Sequence, residues 1–338
     1  MSLETQNFRA WQVSEQQENG QSVYTGALVN RQIADLPAGE VLVRVNWSSI
    51  NYKDALSAHG NKGVTRRYPH TPGIDAAGVV AASENGAFKA GDEVIVIGYD
   101  LGMNTSGGFG EYIRVPADWV VLKPAGLSLH ESMIIGTAGF TAALCVEKLL
   151  HNGLQPSQGP VLVTGASGGV GSFAVALLAH LGFEVTAVTG SADAHEFLKA
   201  LGASNIIDRA ELAAVSPKPL LQETWAGAVD AVGGDILVNI IKALKYGSSV
   251  ACCGLVAATA LDTTVFPFIL RGVNLLGVDS VNLPLAHKQA VWNRLANEWK
   301  LAGLERLETV VDFQGLDQAL KSVLSGQSRG RLVLDLSL

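Results

Sequence analysis

Val161-Leu162-Val163-Thr164-Gly165-Ala166-Ser167-Gly168-Gly169-Val170-Gly171 decides the fold of this chain. A short apolar run of strand character ends in a turn made of small residues. Val170, Phe173, Ala174, Leu177, Leu178 and Leu181 then recur at the i, i+3, i+4, i+7 spacing of a helix packed on a sheet. Small residues let the backbone turn sharply off a strand and approach a pyrophosphate, while the helix that follows aims its partly positive N-terminus at the anion. Ala166 stands where the usual G-x-G-x-x-G pattern has its first glycine, so the match is to a variant. A ligand-free strand-to-helix turn is the other reading of such a loop. The strand before it and the apolar stripe after it favour a dinucleotide phosphate site.

Downstream, strand-like runs alternate with helical ones. Strands are predicted at Val161–Thr164, Val185–Thr189, Asn205–Ile207, Ala228–Val232, Ser249–Cys253 and Asn274–Asp279, with helices such as Ala194–Leu201 and Ile236–Leu244 between them. This βα alternation is the doubly wound α/β (Rossmann) pattern. Upstream, the first 125 residues read as all-β. Short strands at Glu40–Trp47, Gly78–Ala82, Glu93–Ile97 and Glu111–Val115 are separated by turns rich in Gly, Pro and Asp. The tail from Val310 to Leu338 carries a helical stretch, Leu316–Leu324, and a last strand, Leu332–Leu336, and is expected to return to the β-rich part.

A chain of 338 residues exceeds one ordinary core, so about two domains are expected. With 48% hydrophobic and 16% charged residues it reads as a compact enzyme rather than a disordered chain. A net charge of -7 argues against general binding to nucleic acid or anionic membrane, so a phosphate-bearing ligand must find local basic groups. The first residues lack a basic n-region and an apolar h-region, which predicts no secretory leader. The longest apolar window, Met133 to Val146, is too short to span a bilayer. Cys145, Cys252 and Cys253 lie in apolar runs and are expected to be buried reduced thiols of a cytoplasmic protein.

Gly73-Ile74-Asp75-Ala76-Ala77-Gly78-Val79-Val80, Gly91-Asp92-Glu93-Val94, the glycine loop and Gly330-Arg331-Leu332-Val333 together resemble the medium-chain dehydrogenase/reductase superfamily. Trp47 to Leu56, Ile134 to Ala142 and Pro267 to Val273 resemble its zinc-free, quinone-oxidoreductase-like branch, which includes acrylyl-CoA reductase. The resemblance spans nearly the whole chain. It implies a GroES-like catalytic domain over 1–125 with 301–338, and a Rossmann domain over 126–300. The zinc-dependent members carry Cys-His-x-Asp where this chain has Asn51-Tyr52-Lys53-Asp54, and Gly-His-Glu where it has Gly73-Ile74-Asp75. No cysteine lies in Ile97–Gly110, where a structural zinc loop would fall, and the seven histidines are scattered. No metal is therefore expected.

The second strand ends Val188-Thr189-Gly190-Ser191 with no acid until Asp193, which leaves room for a 2′-phosphate and favours NADPH. Relatives carry an Arg where Ser191 stands. Arg209 matches another phosphate-side Arg of the family, although by itself it reads as a solvated turn residue. The resemblance assigns cofactor contact to Tyr52, Ser167, Gly168, Gly169, Val170, Thr189, Gly190, Ser191, Arg209, Leu255, Ile269, Ser280 and Arg331. It implies hydride transfer from NADPH to the β-carbon of a short enoyl-CoA thioester, converting acrylyl-CoA to propionyl-CoA. Reduction of an uncharged quinone or enone, and a non-catalytic NADPH-binding role, stand as alternatives.

Tyr52 and Asn51 are the expected catalytic residues, Tyr52 orienting ribose or relaying a proton and Asn51 acting as a polar donor. A half-buried packing residue is the other reading of Tyr52. Asp54 and Asp75 are expected to pair with basic neighbours, Lys53 among them. Lys62, Arg66, Arg67 and His70 form a basic loop that either meets CoA phosphates or is plain solvated surface. The β-prone run Asn274–Asp279 at a sheet edge predicts a homodimer.

Overall fold

Alternating apolar and polar side chains open the chain as a hairpin, in which β1 (Asn7–Glu18) and β2 (Gln21–Gln32) pair antiparallel along their whole length. Asn19 and Gly20 between them both take positive φ, 51° and 80°, as a tight primed turn requires. The computed structural model describes residues 3–214 and 216–338. The chain divides into one unit of Met1–Thr137, Val281–Asn297 and Gly303–Leu338, and a second of Ala138–Ser280 with Glu298–Ala302.

In the first unit the chain continues through β3 (Val41–Ile50), α1 (Tyr52–Ala58), β4 (Asp75–Ser83), β5 (Glu93–Ile97), β6 (Tyr112–Val115) and β7 (Val120–Leu122). Val41, Val43, Val45, Val94, Val96, Phe109 and Ile113 point inward at alternate positions and build its core. Next comes α2 (Leu129–His151), broken at Gly136, whose φ of 49° and ψ of -162° are not helical. The apolar window expected over Met133–Val146 thus belongs to a 23-residue helix, long and apolar enough by composition to cross a membrane, with 78% of its most apolar window buried in the fold.

The second unit runs β8 (Val161–Val163), α3 (Gly169–His180), β9 (Val185–Thr189), α4 (His195–Ala200), β10 (Asn205–Asp208), α5 (Arg209–Ala213), β11 (Trp225–Asp230), α6 (Gly234–Ala243), β12 (Leu244–Cys252), α7 (Phe266–Arg271) and β13 (Asn274–Gly277). Its six strands are parallel in the order β10-β9-β8-β11-β12-β13, the doubly wound arrangement. β8, β9 and β11 are buried throughout, which is why they read as continuous apolar runs. β11 starts and stops earlier than the expected Ala228–Val232. The Asp230 carboxylate accepts from Gly233 N at 2.9 Å, and Gly233 and Gly234 both take positive φ, so the chain turns there.

The tail adds α8 (Leu285–Ala296), β14 (Glu308–Val311), α9 (Leu316–Leu324) and β15 (Arg331–Asp335) to the first unit. There the sheet order is β14-β15-β3-β4-β5-β7, with β6 also on β3. Lys288 on α8 is fully buried and donates to Ile97 O at 2.8 Å, fixing that helix to the end of β5.

Candidate functional site

The strand order switches sides at β8: the strands that follow are added outward through β9 and β10, then through β11, β12 and β13 on the other side. Ligands of open parallel sheets bind at such a switch point, beyond the carboxyl ends of the strands. The glycine loop sits there. Gly165 takes φ of 58°, and Gly168 N donates to Gly165 O at 3.0 Å to close the turn. A β-carbon on Gly171 would stand 2.2 Å from Gly165 O, so only glycine lets α3 start this close to the strand end. Ala166 is buried and its amide donates to Val188 O at 3.1 Å, so its methyl packs inward. Ser167, Gly168, Gly169 and Val170 are half-exposed at the start of α3, where the first helical amides have no intrahelical partner.

Thr189 at the end of β9 donates to Ser167 Oγ at 3.2 Å and accepts from Ser191 N at 3.1 Å. Arg209, at the start of α5, lies against Gly190: a β-carbon there would stand 3.1 Å from Arg209 Nη2. Arg209 is exposed and forms no ion pair among the described residues. The unit thus joins an amide-rich helix start, a hydroxyl-lined strand end and a free guanidinium, a set that fits a dinucleotide ending in a phosphate. Behind them, buried Asp230 accepts from Thr164 Oγ1 at 2.7 Å and ties β8 to β11. Burial pushes the Asp230 carboxyl above its usual value. Leu255 and Ile269 are 62% and 68% exposed, apolar surface of the kind a flat ring covers. Ser280 is buried and accepts from Thr141 Oγ1 at 2.8 Å.

In the first unit Asn51 begins α1, and its amide donates to Asp54 Oδ2 at 2.8 Å. Asp54 Oδ1 accepts from Gly73 N at 3.1 Å and Ile74 N at 2.8 Å. Asp54 is therefore spent on backbone amides rather than on Lys53. Burial, then the charge of Asp75, push its carboxyl up to about 7 against those three donors. Asp75 accepts from Ser49 Oγ, from Asn51 Nδ2 at 2.8 Å, and from Thr137 N and Oγ1 at 2.8 and 2.5 Å. Its basic neighbour, Arg331, is 3.9 Å away, so neutral donors satisfy most of the charge. Arg331 is 2% exposed, donating Nε to Ile134 O at 3.0 Å and Nη1 to Asn51 Oδ1 at 3.2 Å. Its Nη2 has no hydrogen-bond partner among the described residues. Burial pulls this guanidinium below the usual arginine value, with Asp75 and Asp54 opposing. Tyr52 is 38% exposed, and its hydroxyl forms no hydrogen bond among the described residues.

The basic loop divides. Lys62 is held by Glu15 at 2.6 Å, and His70 is buried with Nε2 2.9 Å from Gly102 O, its pKa lowered by burial. Arg66 and Arg67 remain exposed, without an ion pair among the described residues. Cys145 is buried, but Cys252 and Cys253 are only half-buried, because the loop beyond β12 is open. Ser49, Gly136 and Thr137 were missed by sequence reasoning. A glycine inside an apolar helical run was the available signal.

Residues 37–125 match the alcohol dehydrogenase GroES-like domain, and residues 169–299 match the zinc-binding dehydrogenase domain. Fold and matched domains define the dehydrogenase/reductase class. An acrylyl-CoA reductase of Ruegeria pomeroyi, AcuI, is 46% identical over 333 residues, 98% of this chain and 99% of its own length. The yhdH oxidoreductase of Salmonella enterica, solved in complex with NADP, superposes with a TM-score of 0.92 at 44% identity, over 97% of this chain and 99% of its own. YhfP of Bacillus subtilis, a putative quinone oxidoreductase, is 46% identical over 306 residues, 89% of this chain and 92% of its own. Its structure with NAD bound superposes with a TM-score of 0.94 at 43% identity, over 98% of this chain and 100% of that one. The chain belongs to the medium-chain dehydrogenase/reductase superfamily.

The match of residues 169–299 to a zinc-binding dehydrogenase domain raises the question of zinc. At the ligand positions of the zinc-dependent members stand Asn51, an amide already bound to Asp75 and Arg331, and Ile74, an alkyl group. A buried guanidinium beside this cluster opposes a dication, and among the described residues no group of three or more His, Cys, Asp or Glu is placed to hold a metal. Asn51 and Ile74 offer zinc neither a thiolate nor an imidazole.

Proposed function

We propose that this protein is a zinc-independent, NADPH-dependent reductase of activated carbon–carbon double bonds, with acrylyl-CoA as acceptor and propionyl-CoA as product. The observation that carries the reading is near-full-length likeness, at 46% identity, to the R. pomeroyi acrylyl-CoA reductase. NADPH, when bound, supplies a hydride to the β-carbon of the thioester. The electron pair of the double bond then moves onto the thioester oxygen, and the α-carbon takes a proton. No Lewis acid is needed for that step, in keeping with a donor set unsuited to zinc.

The chain's own residues bind, orient and stabilise. Ser167 to Val170 cradle the pyrophosphate at the start of α3, and Thr189, Gly190, Ser191 and Arg209 take the adenosine end. The free guanidinium of Arg209, with no acid at the end of β9, supports NADPH over NADH. Leu255 and Ile269 wall the nicotinamide, and Ser280 completes its polar contacts. The Tyr52 hydroxyl, exposed and uncommitted, donates toward the developing enolate oxygen, the place where a fixed donor lowers the barrier most. Arg66 and Arg67 meet the CoA phosphates. Three unpaired thiols support a cytoplasmic setting. The free edge of β13, with Leu275 exposed, supports a homodimer, which sedimentation showing only monomer would remove.

A second reading, reduction of a quinone or enone, is favoured by the likeness to YhfP. Purified protein with NADPH and a panel of acrylyl-CoA, crotonyl-CoA and small quinones separates the two. Oxidation of NADPH by acrylyl-CoA is expected; turnover confined to quinones establishes the second reading. Saturable NADPH binding without turnover on any acceptor establishes a non-catalytic role. Replacing Arg66 and Arg67 with Ala should raise KM for the CoA thioester about 3- to 10-fold at low salt, with little change for quinones.

A further inference from the structure

Asn51 is gripped at both ends of its carboxamide. Nδ2 donates to Asp75 Oδ2 at 2.8 Å and, more weakly, to Ser49 O at 3.4 Å, while Oδ1 accepts from Arg331 Nη1 at 3.2 Å. A carboxamide has two donor hydrogens, and here both are aimed into the protein. A flip would set its NH2 against guanidinium donors and its oxygen against a carboxylate, so one orientation is enforced. This leaves Asn51 no hydrogen to offer a substrate oxygen, contrary to the donor role expected of it.

The two groups that grip it are themselves immobile. Asp75 is fully buried and receives Ser49 Oγ and both polar groups of Thr137. Arg331 is anchored through Nε to Ile134 O, two residues before the break in α2. Gly136 makes the enclosure possible. A β-carbon there would stand 2.3 Å from Ser49 Oγ and 2.7 Å from both Arg331 Nη2 and Asp75 Oδ2. The start of α1 is already closed without this arrangement, because Asp54 takes the Asn51 amide. What the arrangement adds is a fixed Asn51 side chain immediately before Tyr52, whose exposed hydroxyl has no hydrogen-bond partner among the described residues.

We propose that Asp75 and Arg331 are positioning residues of the reduction, acting through the Asn51 carboxamide to hold Tyr52 in its working direction. The proposal rests on the reading of this protein as an NADPH-dependent reductase. If it holds, Asp75 does nothing for turnover that Asn51 does not transmit.

A double-mutant cycle tests this, run on the full chain with whichever acceptor the wild type reduces fastest. Asn51→Ala should lower kcat about 10- to 100-fold and Asp75→Asn about 10-fold, with acceptor KM moving much less. The double variant should be no slower than Asn51→Ala alone. The NADPH dissociation constant, measured by fluorescence without acceptor, should shift less than about 3-fold in all of them. Single effects that multiply in the double variant, or an unchanged kcat in Asp75→Asn, overturn the proposal while leaving the reductase reading intact. A wild type that reduces nothing overturns both. If Asp75→Asn does not fold, the same cycle is run with Arg331→Lys. Failure of both to fold assigns the pair to stability alone and also overturns the proposal.

Discussion

The glycine loop and the Asn51 cluster solve the same problem, placing polar groups with sub-ångström tolerance, by opposite means. The loop is contiguous: Gly165 to Gly171 carry the chain from one strand into one helix, and Gly168 and Gly171 both answer to Gly165 O. The cluster is assembled from distant parts, with Asn51 bound to a residue 24 positions on and to another 280 positions on. The loop leaves its donors open at a helix start, ready for an anion. The cluster spends nearly all of its donors internally and leaves one tyrosine hydroxyl free. One region binds by what it exposes; the other orients by what it buries.

Breaking each region separately tests that contrast. The largest effect is expected at Gly171→Val, whose side chain has no room beside Gly165 O. NADPH affinity should fall at least about 100-fold by fluorescence titration, because overpacking of about 3 kcal/mol moves the start of α3. Gly136→Ala should do the reverse. Forcing a β-carbon among Ser49, Asp75 and Arg331 at positive φ should cost about 1–3 kcal/mol in thermal unfolding and lower kcat, with NADPH affinity little changed.

Next comes Arg209→Gln, which should weaken NADPH binding about 10-fold and leave NADH binding unchanged. Equal losses for both nucleotides would remove Arg209 from the 2′-phosphate. The smallest effect concerns Asp54, whose carboxyl is pushed up to about 7 in the folded chain from an ordinary 3.8. A raised folded-state value gives a contribution to stability that is full below the unfolded value and lost as pH rises through about 7. Wild type should therefore lose about 2–4 °C in Tm relative to Asp54→Asn between about pH 5 and 8. Parallel curves for the two proteins would contradict the assignment.

The same contrast explains what could be read from the sequence. The doubly wound unit was legible because parallel strands buried on both faces give continuous apolar runs, and because the loop's requirements are local. Strand ends were less so: β11 stops at Asp230 because that carboxylate binds Gly233 N, a bond between side chain and backbone that periodicity does not register. The opening hairpin was overlooked although Asn19-Gly20 marks its turn, since the outer half of β1 and most of β2 are polar and exposed. In the sequence Asn51 reads as a polar donor and Tyr52 as a ribose contact or proton relay, both open to a ligand. Only the geometry separates them, because whether an amide is free or fully bonded depends on Arg331, far along the chain. The basic loop shows the limit most plainly. Four basic residues in one segment look alike in sequence, yet Glu15 claims Lys62 and the carbonyl of Gly102 claims His70, leaving two.

The measurement that tests the central claim most directly is isotope transfer from NADPH deuterated at C4, supplied as each of its two epimers, with acrylyl-CoA as acceptor. With one epimer the propionyl-CoA formed should carry one deuterium on its β-carbon, and with the other none, while NADPH is consumed in equal amount. Absence of deuterated propionyl-CoA from both epimers, with NADPH oxidised only when a quinone is present, would contradict the account.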